Sequence, residues 1–185
     1  MEHPKQTEFT ADEFIAWSLE QPTGRYELVD GIVVAMASER VGHARAKLDA
    51  VIALRTAVRA GGLGCEAFPD GMAVRVDDRN VFEPDALVRC GPPLPDDAVE
   101  LTDPVIIVEV LSPSTQNVDT GRKLEGYFAL ASLCHYLVVD TVKRFVLHYS
   151  RIEGDAISLR ILRDGPIPLD PPGLAIEVRD LFASF

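Results

Sequence analysis

Two acidic residues stand inside otherwise apolar, strand-like segments of this 185-residue chain. Glu109 interrupts the run Val105–Leu111, and Asp85 follows Pro84 in the segment Val81–Val88. A bare carboxylate in a strand that is covered on both faces is costly, so each acid needs a cation, a hydrogen-bond donor or a metal ion. If the two segments are neighbouring strands, the carboxylates meet, and two like charges at close range recruit a cation.

Other residues could complete a metal-dependent site around these acids. Clustered carboxylate oxygens suit Mg²⁺ or Mn²⁺ better than zinc, and Glu27 could bring a third acid. Lys123 begins the helix predicted after the Glu109 strand, and helical spacing places Tyr127 on the same face. From that face the Lys123 ammonium can turn back toward the carboxylates. His43, near the start of another predicted helix, is the histidine best placed for catalysis, and we treat it and Tyr127 as accessory candidates.

Each of these residues also has a purely structural explanation, and the sequence leaves both open. Glu109 could pair with Lys123 without any metal, and Asp85 could simply end a strand after a proline. Glu27 could lie on the wet face of a hairpin. Lys123 could be a solvated residue in the first turn of its helix, and His43 could hydrogen-bond locally at a helix start.

The segments that would position these residues alternate between helical and strand-like patterns. The first part of the chain has a helix over 8–20 with a Thr10–Glu13 capping box, a hairpin over 25–37 turning at Asp30-Gly31, and a helix over 41–60 ended by Gly61-Gly62. Strands over 65–68, 72–76 and 82–88 and a loop over 91–104 lead to the Glu109 strand. A polar loop over 112–118, a helix over 119–131, a hairpin of strands 135–139 and 144–149, and a further strand or two follow. This order predicts one mixed α/β domain with helices on both faces of a sheet.

Composition excludes several classes of protein. A hydrophobic fraction of 47% with 25% charged residues is ordinary for a globular protein. No segment reaches the roughly 18 apolar residues of a membrane span, and the N-terminal residues lack the apolar stretch of a secretory signal. Cys65, Cys90 and Cys134 form no C-x-x-C pair, so we expect reduced thiols in a cytoplasmic protein, with no disulfide and no zinc site.

The net charge of −11 argues against a strongly basic, non-specific nucleic-acid binder. One stretch, 40–59, gathers basic residues that could either face phosphates or decorate a solvated helix. These are Arg40, Arg45, Lys47, Arg55 and Arg59. We therefore expect any binding to nucleic acid to be weak and salt-sensitive, or to depend on a partner.

The order of the acidic and basic residues resembles the PD-(D/E)xK nucleases and, more closely, the Uma-two family of restriction-endonuclease-like proteins. The resemblance covers nearly the whole chain, in the segments Tyr26–Gly31, His43–Arg45, Glu83–Asp85, Val108–Ser114, Lys123–Tyr127, Tyr136–Asp140, Pro172–Leu174 and Leu181–Phe182. Glu-Val-Leu-Ser-Pro-Ser is fairly specific, whereas Pro-Asp alone carries no weight. The resemblance implies a single restriction-endonuclease-like domain over residues 1–185, with a central mixed β-sheet flanked by helices.

The chain departs from the general nuclease motif at one position. Leu111 stands two residues after Glu109, where that motif has its lysine, and Lys123 matches the lysine that the Uma-two pattern places in the following helix. The resemblance then implies that Asp85 and Glu109 bind Mg²⁺ or Mn²⁺. It also implies that Glu27 is an added acidic ligand or orienting group, and that Lys123 orients the attacking water or stabilises the negative charge of the transition state.

These features together predict a Mg²⁺- or Mn²⁺-dependent endonuclease that hydrolyses phosphodiester bonds in nucleic acid, with DNA as the expected substrate. Such hydrolysis needs an activated water, a Lewis acid on the phosphate and relief of developing negative charge. Two alternatives stay open: a catalytically silent nuclease fold used for binding or oligomerisation, and a metal-dependent hydrolase of small phosphoesters. A homodimer is a further possibility because nuclease folds often dimerise, although no residue pattern in the sequence shows an interface.

Overall fold

The computed structural model describes residues 7–111, 121–154 and 156–184 of the chain. Its helices are α1 (Ala11–Leu19), α2 (Val41–Gly61), α3 (Arg122–Ala129) and a terminal 3₁₀ helix (Val178–Phe182). Its strands are β1 (Tyr26–Val29), β2 (Ile32–Ala35), β3 (Cys65–Pro69), β4 (Ala73–Arg75), β5 (Val81–Phe82), β6 (Ala86–Cys90), β7 (Glu100–Leu101), β8 (Pro104–Val110), β9 (His135–Asp140), β10 (Phe145–Arg151), β11 (Ile157–Leu162), β12 (Pro166–Leu169) and β13 (Leu174–Glu177).

The strands form two larger sheets and one separate hairpin. The six-stranded sheet has the order β11-β10-β9-β8-β6-β3, and the five-stranded sheet has the order β2-β1-β5-β4-β7. In the six-stranded sheet β8 and β9 run parallel and the other neighbours run antiparallel, so the sheet is mixed. Strands β12 and β13 pair with each other.

Helices cover both faces of the six-stranded sheet, as the sequence pattern predicts. One face packs against α2, the β12–β13 hairpin and the 3₁₀ helix, in a core that includes Val108 and Leu54. The other face packs against α3 and the five-stranded sheet, in a core that includes Ile107 and Tyr127. Ile107 and Val108 are consecutive in β8 and therefore point to opposite faces, which explains why this strand is apolar along its length.

Local sequence signals determine several element ends. Thr10 caps α1, and its side chain and that of Glu13 form the expected capping box. The β1–β2 hairpin turns at Asp30 and Gly31, which both have positive φ values of 53° and 81°, as a tight hairpin turn requires. Helix α2 ends at Gly62, which adopts the left-handed conformation.

The structure differs from the predicted element order in three places. The strand predicted over 82–88 is divided into β5 and β6 because the chain leaves the ladder at residues 83–85, around Pro84. The predicted loop over 91–104 contains the short strand β7. The tail, predicted to contain a further strand or two, contains the three strands β11, β12 and β13. The predicted polar loop and the first residues of the helix predicted over 119–131 lie outside the described residues.

The cysteines also differ from expectation. Cys65 on β3 and Cys90 on β6 are directly opposed and form a disulfide, whereas Cys134 is free. The prediction of three reduced thiols is therefore wrong. The two residues are 25 positions apart, and only the register of β3 against β6 brings them together, so no local spacing motif could reveal the pair.

No helix within the described residues has the length and apolar character needed to cross a membrane.

Two buried histidines connect the six-stranded sheet to the segment between β12 and β13. His135 Nδ1 lies 3.0 Å from His148 Nε2, and His135 Nε2 lies 3.0 Å from the Pro171 carbonyl oxygen. With His135 donating from Nε2 to this carbonyl, its Nδ1 accepts a hydrogen bond from His148 Nε2–H. Burial, then the charges of His135 and Arg160, lower the pKa of His148 to about 4. Both imidazoles are therefore neutral in the folded protein near neutral pH.

This histidine pair predicts a loss of stability in mild acid. The unfolded chain takes up a proton on His148 near its ordinary pKa of 6.5, whereas the folded protein resists protonation until about pH 4. The free energy of unfolding should therefore fall as the pH drops from about 6.5 toward 4. Urea unfolding at a series of pH values measures this. His148→Gln keeps a donor toward His135 but cannot titrate, so its stability should fall less over the same interval. An unchanged pH dependence in this variant would contradict the assignment.

Candidate active site

Glu109 lies near the end of β8, on the face of the sheet that packs against α3. Its Oε1 accepts hydrogen bonds from Lys123 Nζ at 2.9 Å and from the Tyr127 hydroxyl at 2.8 Å. Lys123 Nζ also lies 2.9 Å from Glu27 Oε1, which accepts the backbone N–H of Glu83 at 2.9 Å. All four side chains of this set, Glu27, Glu109, Lys123 and Tyr127, are buried. One ammonium on α3 thus bridges carboxylates from β1 and β8.

The short helix α3 is held in place by close packing and by hydrogen bonds at its C-terminal end. Gly126 faces the Phe82 ring so closely that an added Cβ would lie 2.8 Å from a ring carbon. Arg151 of β10 donates to the carbonyls of Phe128 and Leu130 at 2.8 and 2.9 Å. These contacts fix the helix axis, and the four-residue spacing of Lys123 and Tyr127 then directs both side chains to Glu109.

Asp85 is directed to the opposite face of the sheet. The β6–β8 ladder pairs Ala86 with Val108, so the same register would place Asp85 opposite Glu109. The chain bends at Asp85 instead, and Asp85 Oδ2 accepts the backbone N–H of Val110 at 2.7 Å. Asp85, just before β6, and Glu109, on the neighbouring strand β8, therefore lie next to each other across the sheet, as the sequence suggested. They contact different helices.

The partners of Asp85 come from the first two turns of α2. His43 Nε2 lies 3.5 Å from Asp85 Oδ2, and Lys47 Nζ lies 3.2 Å from Asp85 Oδ1. Burial alone would raise the pKa of the Asp85 carboxyl, but His43, Lys47 and the Val110 N–H outweigh it and hold this pKa below its ordinary value. Asp85 is therefore a carboxylate at neutral pH.

Lys47 is a site residue that the sequence analysis missed. Its ammonium contacts Asp70 Oδ2 at 2.6 Å and also contacts Glu39, in addition to Asp85. Burial tends to lower the pKa of Lys47, but these three carboxylates raise it above its ordinary value, so the side chain stays charged. The sequence placed Lys47 in a basic surface stretch. The structure corrects this, because Lys47 is buried among acids while Arg40, Arg45, Arg55 and Arg59 are exposed.

A second missed group joins the two halves of the site. Arg25 Nε donates to Glu83 at 2.7 Å, and Arg25 Nη1 lies 2.7 Å from Asp70. Glu83 precedes Pro84 and supplies the N–H that Glu27 accepts, while Asp70 contacts Lys47. Ion pairs and hydrogen bonds therefore run without a break from Glu27 to Asp85. Periodicity could not reveal Arg25, Glu39 or Asp70, since all three lie near element ends or in turns.

The charges of this network do not balance. Six carboxylates (Glu27, Glu39, Asp70, Glu83, Asp85 and Glu109) surround three cations (Arg25, Lys47 and Lys123), which leaves an excess of three negative charges within the described residues. Glu27, Asp85 and Glu109 are buried, whereas Asp70 and Glu83 are half-buried and Glu39 is exposed, so solvent screens part of the excess. A divalent cation would offset most of this excess.

The residues nearest Asp85 are suited to such a cation. Ligand atoms of Glu39, His43 and Asp85 lie within 4.8 Å of one another, the one such group of three in the described residues. The His43 Nδ1 atom is buried and has no hydrogen-bond partner there. Carboxylate oxygens with an imidazole nitrogen are a donor set that Mn²⁺ accepts readily and Mg²⁺ accepts in part. Glu109, which the sequence paired with Asp85 as a ligand, lies outside this group.

Tyr127 acts in this environment as a hydrogen-bond donor. Burial first, and then the charges of Glu109 and Glu27, raise the pKa of Tyr127 well above its ordinary value. The hydroxyl therefore keeps its proton and donates a hydrogen bond to Glu109 throughout the physiological pH range.

Comparison with known proteins identifies the family of the chain. The family model Uma2, described as "Putative restriction endonuclease", matches residues 11–181. The chain belongs to the Uma2 family. Among curated proteins, two uncharacterized proteins of Synechocystis sp. are similar to it. One is 28% identical over 173 residues, covering 90% of this chain and 87% of the relative. The other is 27% identical over 139 residues, covering 74% and 77%.

A solved structure supports the fold assignment of this Uma2 protein. A putative nuclease belonging to DUF820 from Anabaena variabilis superposes with a TM-score of 0.75 at 17% identity, covering 95% of this chain and 98% of that one. The predicted α/β nuclease-like fold is thereby confirmed. Membership of the Uma2 family supports a nuclease function, whereas the roles of individual site residues stay predictions.

Lys123 should be important for stability because it contacts two buried carboxylates. Lys123→Met should lower the free energy of unfolding by about 3 to 5 kcal/mol, since it removes the cation but leaves the buried charges. Urea unfolding measures the loss. Adding Glu27→Gln to this variant removes one of those charges and should restore part of the stability. A Lys123→Met protein as stable as the native one would show that this ion pair is not buried as described.

Proposed function

We propose that this Uma2 protein is a divalent-metal-dependent nuclease of the PD-(D/E)xK type, with DNA as the expected substrate. The observation that carries the proposal is the group of three buried carboxylates around the end of β8, Glu27, Asp85 and Glu109. Two lysines from opposite faces of the sheet contact them. Such a cluster weakens a fold and is retained where chemistry needs it. Family membership and the nuclease-like fold support the same assignment.

Asp85 and Glu109 are the proposed metal-binding residues, as the resemblance implies, and His43 and Glu39 are further ligand candidates beside Asp85. A bound Mg²⁺ or Mn²⁺ would act as the Lewis acid that polarises the scissile phosphate and favours ionisation of an attacking water. The Val110 N–H fixes the Asp85 carboxylate, so this ligand needs no reorganisation when the ion arrives.

The side chains around Glu109 have separate roles in this proposal. Lys123 keeps its ammonium beside Glu109, where it would orient the attacking water or offset the negative charge that develops on the phosphate. Glu27 positions this ammonium from the other side. Tyr127 donates a hydrogen bond to Glu109 and so helps to hold this carboxylate in position. His43 Nε2 faces Asp85, so His43 would act as a further metal ligand beside this carboxylate.

Lys47 sets a condition on metal binding. Its ammonium contacts Asp85, Asp70 and Glu39, so it supplies to these acids the positive charge that a metal ion would supply. A cation that approaches Asp85 is repelled by Lys47, so Lys47 weakens the metal affinity of this half of the site.

Charge limits how the protein holds a polymer. The whole chain carries −11, and the exposed cations of α2 are the arginines 40, 45, 55 and 59. A substrate phosphate would therefore be attracted locally by the arginines of this one helix, although the protein as a whole is acidic. We propose weak, salt-sensitive binding of DNA, or delivery of the substrate by a partner.

Neutralising either proposed metal ligand should abolish cleavage. Asp85→Asn and Glu109→Gln should each lower Mg²⁺- or Mn²⁺-dependent cleavage of DNA by about 100-fold or more, because each removes a charge from the metal site. Gel analysis of single-stranded and double-stranded DNA, with chelator controls, measures this. Asp97→Asn changes an exposed loop carboxylate and should cleave like the native protein.

Other results would select between the alternatives. Unchanged cleavage in both variants would reject the site. Hydrolysis of a small phosphodiester such as bis(p-nitrophenyl) phosphate, with none of any polymer, would favour a hydrolase of small phosphoesters. No metal response and no cleavage of any substrate would favour a silent binding module.

The role of Lys47 predicts an increase in metal affinity when its charge is removed. Lys47→Gln should bind Mn²⁺ at least roughly tenfold more tightly than the native protein, because the competing charge beside Asp85 is gone. Isothermal titration calorimetry measures the affinity, and circular dichroism checks the fold. Arg45→Gln removes the same charge from the exposed side of α2 and should leave the affinity nearly unchanged. Equal affinities in the Lys47→Gln and native proteins would contradict the competition.

A further inference from the structure

We propose that two copies of the protein associate by antiparallel pairing of strand β11 with the β11 of the second copy, which joins their six-stranded sheets into one. Strand β11 (Ile157–Leu162) lies at the edge of its sheet, and in the described part of the chain it pairs with β10 alone. One row of its backbone donors and acceptors is therefore free to pair with another strand.

The edge strand carries an exposed apolar row. Ile157, Leu159 and Ile161 are 41%, 50% and 62% exposed, and their alternate spacing puts them on one face. In the β10–β11 register, Leu159 lies opposite Tyr149 and Ile161 lies opposite Leu147. Those two β10 residues pack against the core under α3. The apolar surface thus continues from the core to the last strand and ends in solvent.

Edge strands of soluble proteins are usually protected by charges, prolines or bulges. The regular ladder of β11 with β10 shows no shift of register along Ile157–Leu162. The charged residue of β11 is Arg160, which points to the face opposite the apolar row. This edge is therefore regular, apolar on one face and unprotected, which is what a strand needs for pairing across an interface.

The order of residues in β11 selects a second copy of the same strand as the partner. A two-fold axis perpendicular to the sheet keeps each face on its own side, so residues must pair with positions of the same parity. With the axis at Leu159, this residue meets its own copy and Ile157 meets Ile161. On the opposite face Ser158 meets Arg160. Each of the three exposed apolar residues then contacts an apolar partner, and no like charges are opposed.

Neighbouring registers do not give this match. Moving the axis to Arg160 places two guanidinium groups directly opposite each other, which is destabilising. Moving it to Ser158 places Ile161 opposite position 155, which lies before the first residue of β11, so Ile161 no longer meets a residue of the exposed apolar row. The pattern Ile-Ser-Leu-Arg-Ile therefore specifies one register of self-association, independently of any nuclease activity.

The charge of the whole chain sets the strength of this contact. Each copy carries −11, so association brings two acidic proteins together and is opposed by their mutual repulsion. A dimer of this kind should therefore be concentration-dependent and should strengthen with added salt, since salt screens the repulsion and leaves the apolar contact intact.

Sedimentation velocity of the full chain over a range of protein and salt concentrations tests the proposal. The native protein should show a monomer–dimer equilibrium that shifts toward dimer with salt. Leu159→Lys places two ammonium groups against each other on the axis and should weaken the dimer by roughly 100-fold or more. Val142→Lys alters a side chain that is 86% exposed outside β11 and should leave the equilibrium unchanged.

Cysteine crosslinking identifies the register. In a Cys134→Ser background, Leu159→Cys should form a disulfide-linked dimer under mild oxidation, because directly opposed residues of antiparallel strands have Cα atoms about 4.5 to 5.5 Å apart. Ile157→Cys faces residue 161 of the second copy and should crosslink far less. A native protein that stays monomeric at every concentration and salt level would overturn the proposal. So would a dimer that Leu159→Lys leaves intact, or one that crosslinks equally at 157 and 159.

Discussion

The hydrogen bond from the Val110 N–H to the Asp85 carboxylate is the contact on which the site depends. The β6–β8 ladder ends at the pair Ala86–Val108, and the chain then leaves the sheet through Pro84. A backbone donor of β8 beyond this point needs an acceptor. The Asp85 side chain provides it at 2.7 Å. The same contact turns the carboxylate toward α2 and leaves Glu109, its neighbour across the ladder, directed toward α3. The Asp85 side chain thus replaces the missing backbone partner of Val110. As a result, the site is divided between the two faces of the sheet.

The division explains how so many charges can be buried together. Lys47 and Lys123 reach the acids from opposite sides, so Asp85 and Glu109 contact different cations and the two ammonium groups stay apart. The Arg25 guanidinium connects the halves by contacting Glu83 and Asp70. Acids still outnumber cations, and the low dielectric of the surroundings magnifies that difference. The network is therefore negative as a whole, which favours the binding of a further cation.

Much of this arrangement follows from the sequence, and the rest depends on tertiary contacts. The apolar run around Glu109 and the turn at Asp30-Gly31 are local patterns, and the structure has β8 and the β1–β2 hairpin where these patterns place them. The family resemblance, which the match over residues 11–181 supports, identifies Lys123 as a candidate site residue. The Cys65–Cys90 bond depends on the register between distant strands, which no local pattern encodes. Lys47 was misassigned because a basic residue in a charged helix resembles a solvated one. Only the tertiary fold brings acids from other segments into contact with it.

Helix α2 shows how one element can serve core, site and surface at once. Its buried face contains Ala46, Ala50 and Leu54, whose spacing follows the helical repeat. Lys47 lies three residues before Ala50 and seven before Leu54, so it belongs to the same buried face, and its ammonium reaches Asp85 from there. Because Asp85 contacts residues in the first two turns of α2, it also lies near the helix end that carries a partial positive charge. The helix dipole, His43 and Lys47 therefore act in the same direction. They keep Asp85 ionised before any metal ion binds, so metal binding at this carboxylate need not displace a proton.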